Sequence, residues 1–98
     1  MPHTIKYRIT SETNPDKVYT SVEEFWDDHS HDGVANANEA VKNSGELIST
    51  KSELDAGGLS LTYTKVWEDE AAHNEFVSNN RSDIEDSLAM VSITVIDE

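Results

Sequence analysis

The chain has 98 residues, no cysteine and a formal net charge of −13, with 20 acidic residues against 7 basic ones. This length suits one domain over residues 1–98, and the lack of cysteine excludes a disulfide framework and thiolate chemistry. The charge would repel nucleic-acid phosphates and anionic membranes, and no apolar run is long enough for a signal peptide or a membrane span, so we expect a cytoplasmic protein with no nucleic-acid or membrane partner.

The first predicted element is a strand over Thr4–Thr10, where apolar and polar side chains alternate with the period of a half-buried strand. Its two faces hold Ile5, Tyr7 and Ile9 on the apolar side and Lys6, Arg8 and Thr10 on the polar side.

A long helix is predicted next, because Ser21 and Glu24 form a capping box. Apolar residues at helical spacing continue from Val22 to Val41, and Gly33 predicts a kink or a restart within this stretch. Gly45 predicts a left-handed cap at the end of the helix.

Two further strands are predicted over Leu47–Leu54 and Leu59–Trp67, joined by a turn at Asp55–Gly58. One face of the third strand holds Leu59, Leu61, Tyr63, Lys65 and Trp67. We expect this face to pack against the helices because it is the more apolar of the two.

The second helix is predicted to start at Asp69 as its N-cap and to break near Asn79 and Asn80 before it resumes. Ser92–Ile96 is the predicted fourth strand. The order strand, helix, strand, strand, helix, strand predicts an α+β, ferredoxin-like fold, in which a four-stranded antiparallel sheet carries both helices on one face.

The sheet face opposite the helices is expected to be polar and locally basic, because Lys6 and Arg8 project from it. Two interpretations stay open for these cations. They form salt bridges to acidic neighbours such as Glu53, or they bind an anionic or carbonyl group of a ligand.

The segment VWEDEAAHNEFVSN resembles the junction between the third strand and the second helix in the dimeric α/β-barrel superfamily, especially its antibiotic biosynthesis monooxygenase-like domains. The resemblance rests on Trp67 at the end of a strand, Glu68 and Asp69 at the corner, Ala72 facing the core and a break after Val77. It implies a homodimer in which two ferredoxin-like sheets pair through their uncovered faces. It also implies a cleft for a small organic ligand and no cofactor.

Two histidines are candidates for proton transfer, namely His29 on the apolar stripe and His73 in the second helix. Members of the superfamily often carry a histidine where this chain has Phe76, one turn after His73. Tyr63 and Trp67 are candidate ligand contacts, together with Lys6 and Arg8. The alternative for the histidines is a packed, hydrogen-bonded role, and the alternative for the aromatic residues is core packing.

Metal binding is considered for two pairs that would stand one helical turn apart, Asp27 with His31 and Asp28 with Asp32. A solvated acidic helix end explains the same residues, and no further ligands accompany them. We therefore predict no metal site.

The sequence thus predicts a small acidic domain that binds a small organic molecule. If this domain is an enzyme, the predicted activity is a cofactor-free monooxygenase-like or cyclase-like reaction. The alternative is a non-catalytic interaction or accessory protein, of viral or halophilic origin, whose acidic surface contacts a basic partner.

Overall fold

Four strands and four helices follow one another in the computed structural model, which describes residues 1–98. They are β1 (His3–Ser11), α1 (Val22–Asp28), α2 (Asp32–Ser44), β2 (Leu47–Leu54), β3 (Ser60–Trp67), α3 (Glu70–Asn79), α4 (Arg81–Ser87) and β4 (Val91–Asp97). Each predicted helix is therefore present as two shorter helices.

The strands form one antiparallel sheet in the order β2-β3-β1-β4. This is the strand order of the ferredoxin-like fold, which confirms the predicted fold class. Ile5 and Ile9 of β1 are buried on the helix-covered face, whereas Lys6 and Arg8 are exposed on the other face. We call these the covered face and the open face of the sheet.

The break in the first predicted helix lies at residues 29–31, just before Gly33. His31 caps the new helix by accepting a hydrogen bond from the Val34 amide at 3.3 Å. Gly33 itself lies inside α2, where a Cβ atom would come within 2.5 Å of the Asp83 carboxylate. A larger residue at this position would require the Asp83 side chain to move, so Gly33 lets this carboxylate lie directly against α2.

The predicted helix caps are present. Ser21 Oγ accepts a hydrogen bond from the Glu24 amide at 3.1 Å, and Asp69 Oδ1 accepts one from the Ala72 amide at 2.8 Å. Gly45 ends α2 in the left-handed conformation, with φ of 86°. These local signals fix the ends of the helices above the sheet.

The core consists of two apolar clusters beneath the helices. One contains Ile5, Leu47, Trp67, Ala72 and Phe76, and the other contains Ile9, Tyr19, Phe25, Leu61 and Val91. Both clusters include residues of β1 and β3, so the two central strands anchor the whole helical layer. None of the helices is both long and apolar enough to cross a membrane.

Candidate functional site

A cavity of about 650 Å³ lies between the helices and the covered face. All four strands contribute to its floor and all four helices to its roof. Its lining includes Ile5, Tyr7, Tyr63, Lys65 and Trp67 from the central strands, Trp26, Asn38, His73 and Phe76 from the helices, and His29 from the break between α1 and α2. The volume falls within the roughly 300–1,000 Å³ that is usual for small-molecule sites.

Lys65 is the cationic residue of this cavity, and it is only 8% exposed. Its Nζ donates a hydrogen bond to Asn38 Oδ1 at 2.7 Å and forms no ion pair. Burial lowers the pKa of Lys65 to about 8, because an ammonium group loses favourable hydration inside the protein.

Three aromatic rings surround this amine. Lys65 Nζ lies 4.7 Å from the ring centre of Phe76, 5.3 Å from that of Trp67 and 5.7 Å from that of Tyr63. These separations allow cation–π attraction, which partly offsets the lost hydration.

Two phenols also line the cavity. Burial, and then the nearby charge of Glu98, raises the pKa of Tyr7 to about 12. Burial also raises the pKa of Tyr63. Both phenols therefore stay protonated at neutral pH and can donate hydrogen bonds to a ligand.

His29 lies at the cavity wall, but both of its ring nitrogens have partners within the protein. Nδ1 is 2.7 Å from the Phe25 carbonyl oxygen, and Nε2 is 2.7 Å from Ser11 Oγ. Since a carbonyl oxygen only accepts, Nδ1 carries the proton and Nε2 accepts from the Ser11 hydroxyl. This geometry matches the packed, hydrogen-bonded interpretation of His29.

His73 lies at another part of the cavity wall. The centre of its ring is 5.9 Å from that of His3 and 5.6 Å from that of Trp67. Its Nδ1 contacts Asn74 Oδ1 at 3.1 Å, and its Nε2 makes no hydrogen bond. His3 Nε2 lies 3.7 Å from a carboxylate oxygen of Glu98. His73 is therefore the candidate histidine that keeps a ring nitrogen free of protein partners.

Lys6 and Arg8, in contrast, lie on the open face and do not line the cavity. Arg8 Nε is 3.6 Å from Asp55 Oδ2, and Glu53 pairs with Lys51 at 2.6 Å. Hydrogen bonds from Ser60 and Thr62 lower the pKa of Asp55, and Arg8 lowers it further. The structure thus places Tyr63 and Trp67 together in the cavity and separates both from the two surface cations.

The two residue pairs considered for metal binding do not share a helix, because α1 ends at Asp28 and α2 begins at Asp32. The predicted spacing of one helical turn is therefore wrong. Asp28 instead accepts hydrogen bonds from Lys17 at 2.7 Å and Tyr19 at 2.9 Å. His31 lies near two carboxylates of α4, those of Asp83 and Asp86, with the three ligand atoms within 4.8 Å of one another.

Lys65 and Asn38 are polar cavity residues that sequence reasoning does not predict as site residues. One signal for Lys65 is present in the sequence, since a charged residue interrupts the apolar face of the third strand between Tyr63 and Trp67. Asn38 gives no comparable signal, because it is 27 residues away in sequence and reaches Lys65 only through the packing of α2 on the sheet.

Comparison with known proteins identifies similar structures but no similar sequence. No family model matches the chain, and no curated protein matches it. Rv0793 from Mycobacterium tuberculosis superposes with a TM-score of 0.63 at 10% sequence identity, over 100% of this chain and 95% of that chain.

A protein from Bacteroides thetaiotaomicron, described as a candidate antibiotic biosynthesis monooxygenase, also has a TM-score of 0.63, at 16% identity over 99% of this chain and 87% of that chain. At these identities the likeness shows the fold alone. It confirms the fold that the resemblance to the dimeric α/β-barrel superfamily implies.

Proposed function

We propose that this chain, which shares its fold with an antibiotic biosynthesis monooxygenase-like protein, binds a small and largely apolar organic molecule in the cavity beneath its helices. The observation that carries the proposal is the cavity itself. It lies among aromatic side chains and also offers a few polar groups, which is the usual composition of a small-molecule site.

A pair of matched substitutions in α2 tests the location of this site. Ala35 and Ala40 are both exposed alanines of the same helix, but only Ala35 lines the cavity. A tryptophan at position 35 would project into the space that a ligand needs. We expect Ala35→Trp to weaken binding of a neutral aromatic probe, 2-naphthamide, at least tenfold in isothermal titration calorimetry, and Ala40→Trp to leave it unchanged.

Equal affinities of wild type and Ala35→Trp for 2-naphthamide would show that the probe binds elsewhere. Circular dichroism of both variants would establish that they fold. Neither substitution removes a core contact, because Ala35 and Ala40 are both exposed.

If the protein is an enzyme, we propose that it catalyses a monooxygenase-like or cyclase-like reaction without a cofactor. In that reaction an imidazole at the cavity wall would remove a proton from an acidic C–H group of the ligand. His73 suits this step better than His29, because its Nε2 has no protein partner whereas His29 Nε2 accepts from Ser11. An oxygen-uptake assay with an acidic aromatic ketone should therefore lose activity with His73→Gln.

We further propose that two copies pair through their open faces. Charge supports this arrangement, since the open face carries three of the seven basic residues, Lys6, Arg8 and Lys51, beside the acidic Glu53 and Asp97, and is therefore close to neutral. The four helices instead carry eleven acidic residues and two basic ones. Two copies with a net charge of −13 each would therefore meet least repulsion at the open face.

The charge of the helices also favours the second candidate function, an accessory protein that contacts a basic partner through its acidic side. Affinity capture from native lysate at low and high salt tests this alternative. A stoichiometric basic partner that is released at high salt would support it. Retention of a small molecule with no such partner would favour the ligand-binding function.

A further inference from the structure

We infer that the ligand of the cavity is an organic monocarboxylate, with its carboxylate paired to the Lys65 ammonium and its apolar body held among the surrounding aromatic rings. This inference rests on the proposed function and names the chemical class of the ligand.

The first argument is the missing counter-charge of Lys65. Buried cations in proteins are normally paired, since an unpaired charge loses its hydration without compensation. Lys65 has no acidic partner, although the chain contains 20 acidic residues. Glu98 is the one carboxylate of the lining, but its carboxylate oxygen lies 3.7 Å from His3 Nε2, and its side chain is 58% exposed.

The second argument is an excess of hydrogen-bond donors around the amine. A protonated lysine has three N–H donors, and Asn38 Oδ1 accepts one of them. The indole N–H of Trp67, whose ring lies 5.3 Å from the same amine, is buried and has no acceptor. An acceptor in the cavity would complete the hydrogen bonding of the lysine, and a carboxylate supplies both acceptor oxygens and negative charge.

The third argument is the character of the remaining wall. Phe76 and Tyr63 flank the amine, and β4 contributes Val91, Ile93 and Val95 to the same cavity. An inorganic anion would leave this apolar surface uncovered. A carboxylate attached to an aromatic or aliphatic body would cover it and would gain the free energy of apolar burial.

Two probes of nearly equal shape test the inference, 2-naphthoate as the anion and 2-naphthamide as its neutral counterpart. Calorimetry at pH 7 should show that wild type prefers 2-naphthoate by about tenfold or more, the usual contribution of a charged hydrogen bond. Lys65→Met should abolish this preference and keep the affinity for 2-naphthamide. The matched control, Lys42→Met, removes an exposed cation outside the cavity and should retain the preference.

The outcomes separate the inference from the proposed function. Binding of both probes with the same ratio in wild type and Lys65→Met would overturn the carboxylate inference and leave the cavity as the ligand site. Binding of neither probe to wild type would overturn both proposals. Loss of the preference in Lys42→Met as well would show that general surface charge produces it.

The wild-type protein gives an independent test, in case Lys65→Met does not fold. Since burial lowers the pKa of Lys65 to about 8, its charge is lost above that pH. At high salt, the affinity for 2-naphthoate should fall by about tenfold in total between pH 7 and 10 and approach that for 2-naphthamide, which stays nearly constant. A constant affinity for 2-naphthoate over this range would overturn the inference.

Other titratable groups of the cavity bear on this pH range. They are Tyr7, Tyr63, His29, His31, His73 and Glu98. Burial raises the pKa of both phenols, so these remain neutral over most of the titration. The amide probe reports any change in the cavity that does not depend on the charge of the ligand.

Discussion

Lysines on the two faces of the sheet differ in their burial and in their ionic partners. On the covered face, Lys65 is 8% exposed, touches three aromatic rings and has no acidic partner. On the open face, Lys51 is exposed and pairs with Glu53 at 2.6 Å. Exposed pairs of this kind contribute little to stability, whereas a buried cation without a partner is costly and therefore informative. The difference supports the proposal that the ligand binds at the covered face.

The largest expected effect comes from the covered face. Trp67 is fully buried in the core beneath α3, so Trp67→Ala should lower the free energy of unfolding by about 3–5 kcal/mol. Thr64 is on the open face of the same strand, and Thr64→Ala should change the free energy of unfolding by less than about 1 kcal/mol. Urea denaturation measures both, and equal losses would contradict the assignment of the two faces.

The second effect depends on pH. The pKa of Lys65 is lowered from its ordinary 10.5 to about 8, so the unfolded chain binds more protons between these values. The cost of burying the cation is complete below pH 8 and disappears as the pH rises towards 10.5. Lys65→Met should therefore be more stable than wild type at pH 7, by about 3 kcal/mol at most, with a difference that shrinks towards pH 10.

Thermal denaturation of both proteins at pH 7, 8.5 and 10 measures this change. Comparing the two proteins cancels the contribution of the tyrosines, which titrate in the same alkaline range. Lys42→Met provides the control, because Lys42 is exposed and should give no such trend. A difference between Lys65→Met and wild type that does not vary with pH would contradict the buried-cation account.

The proposed pairing of open faces predicts a smaller effect. Thr64 lies between Lys6 and Lys51 in the register of the sheet. Thr64→Lys would place a third cation between them and, in a symmetric dimer, bring two such clusters together. We expect the dissociation constant of the dimer to rise at least tenfold by sedimentation velocity, and Asn36→Lys on the exposed side of α2 to leave it unchanged.

A monomeric wild type, or a dimer that tolerates Thr64→Lys, would rule out pairing through the open face. The ligand-binding proposal would remain testable, since the cavity is lined by elements of a single chain.

The smallest effect concerns the corner between β3 and α3. Asp69→Ala removes the oxygen that accepts the Ala72 amide hydrogen bond, and it should cost about 1 kcal/mol in urea denaturation. Glu68→Ala is the neighbouring control, because the Glu68 side chain makes no capping bond. Similar losses in both variants would indicate a general effect of acidic charge.

The fold could be predicted from the sequence because its signals are local. Alternation identified β1 and β3, and Ser21, Gly45 and Asp69 marked helix ends through bonds to residues nearby in the chain. The break before α2 was also visible at Gly33. Alternation placed Ile5 and Ile9 on the covered face, which is where the structure has them.

The site was harder to predict because it depends on contacts between distant residues. Their aromatic rings make Tyr63 and Trp67 candidate ligand contacts, and both line the cavity. Their charges make Lys6 and Arg8 candidates as well, but both lie on the opposite face. The role of Lys65 depends on what covers the sheet above it, including Asn38 at 2.7 Å. The alternation of residues in a strand predicts which face of the sheet a side chain is on. It does not predict whether a cavity lies above that side chain.

The most direct test of the covered face as the ligand site is a nuclear Overhauser measurement on isotope-labelled protein with bound 2-naphthamide. We predict contacts from the naphthalene protons to Trp67, Phe76 and Tyr63 in the cavity. Contacts confined to Lys6 and Thr64 would place the ligand on the open face and contradict the account.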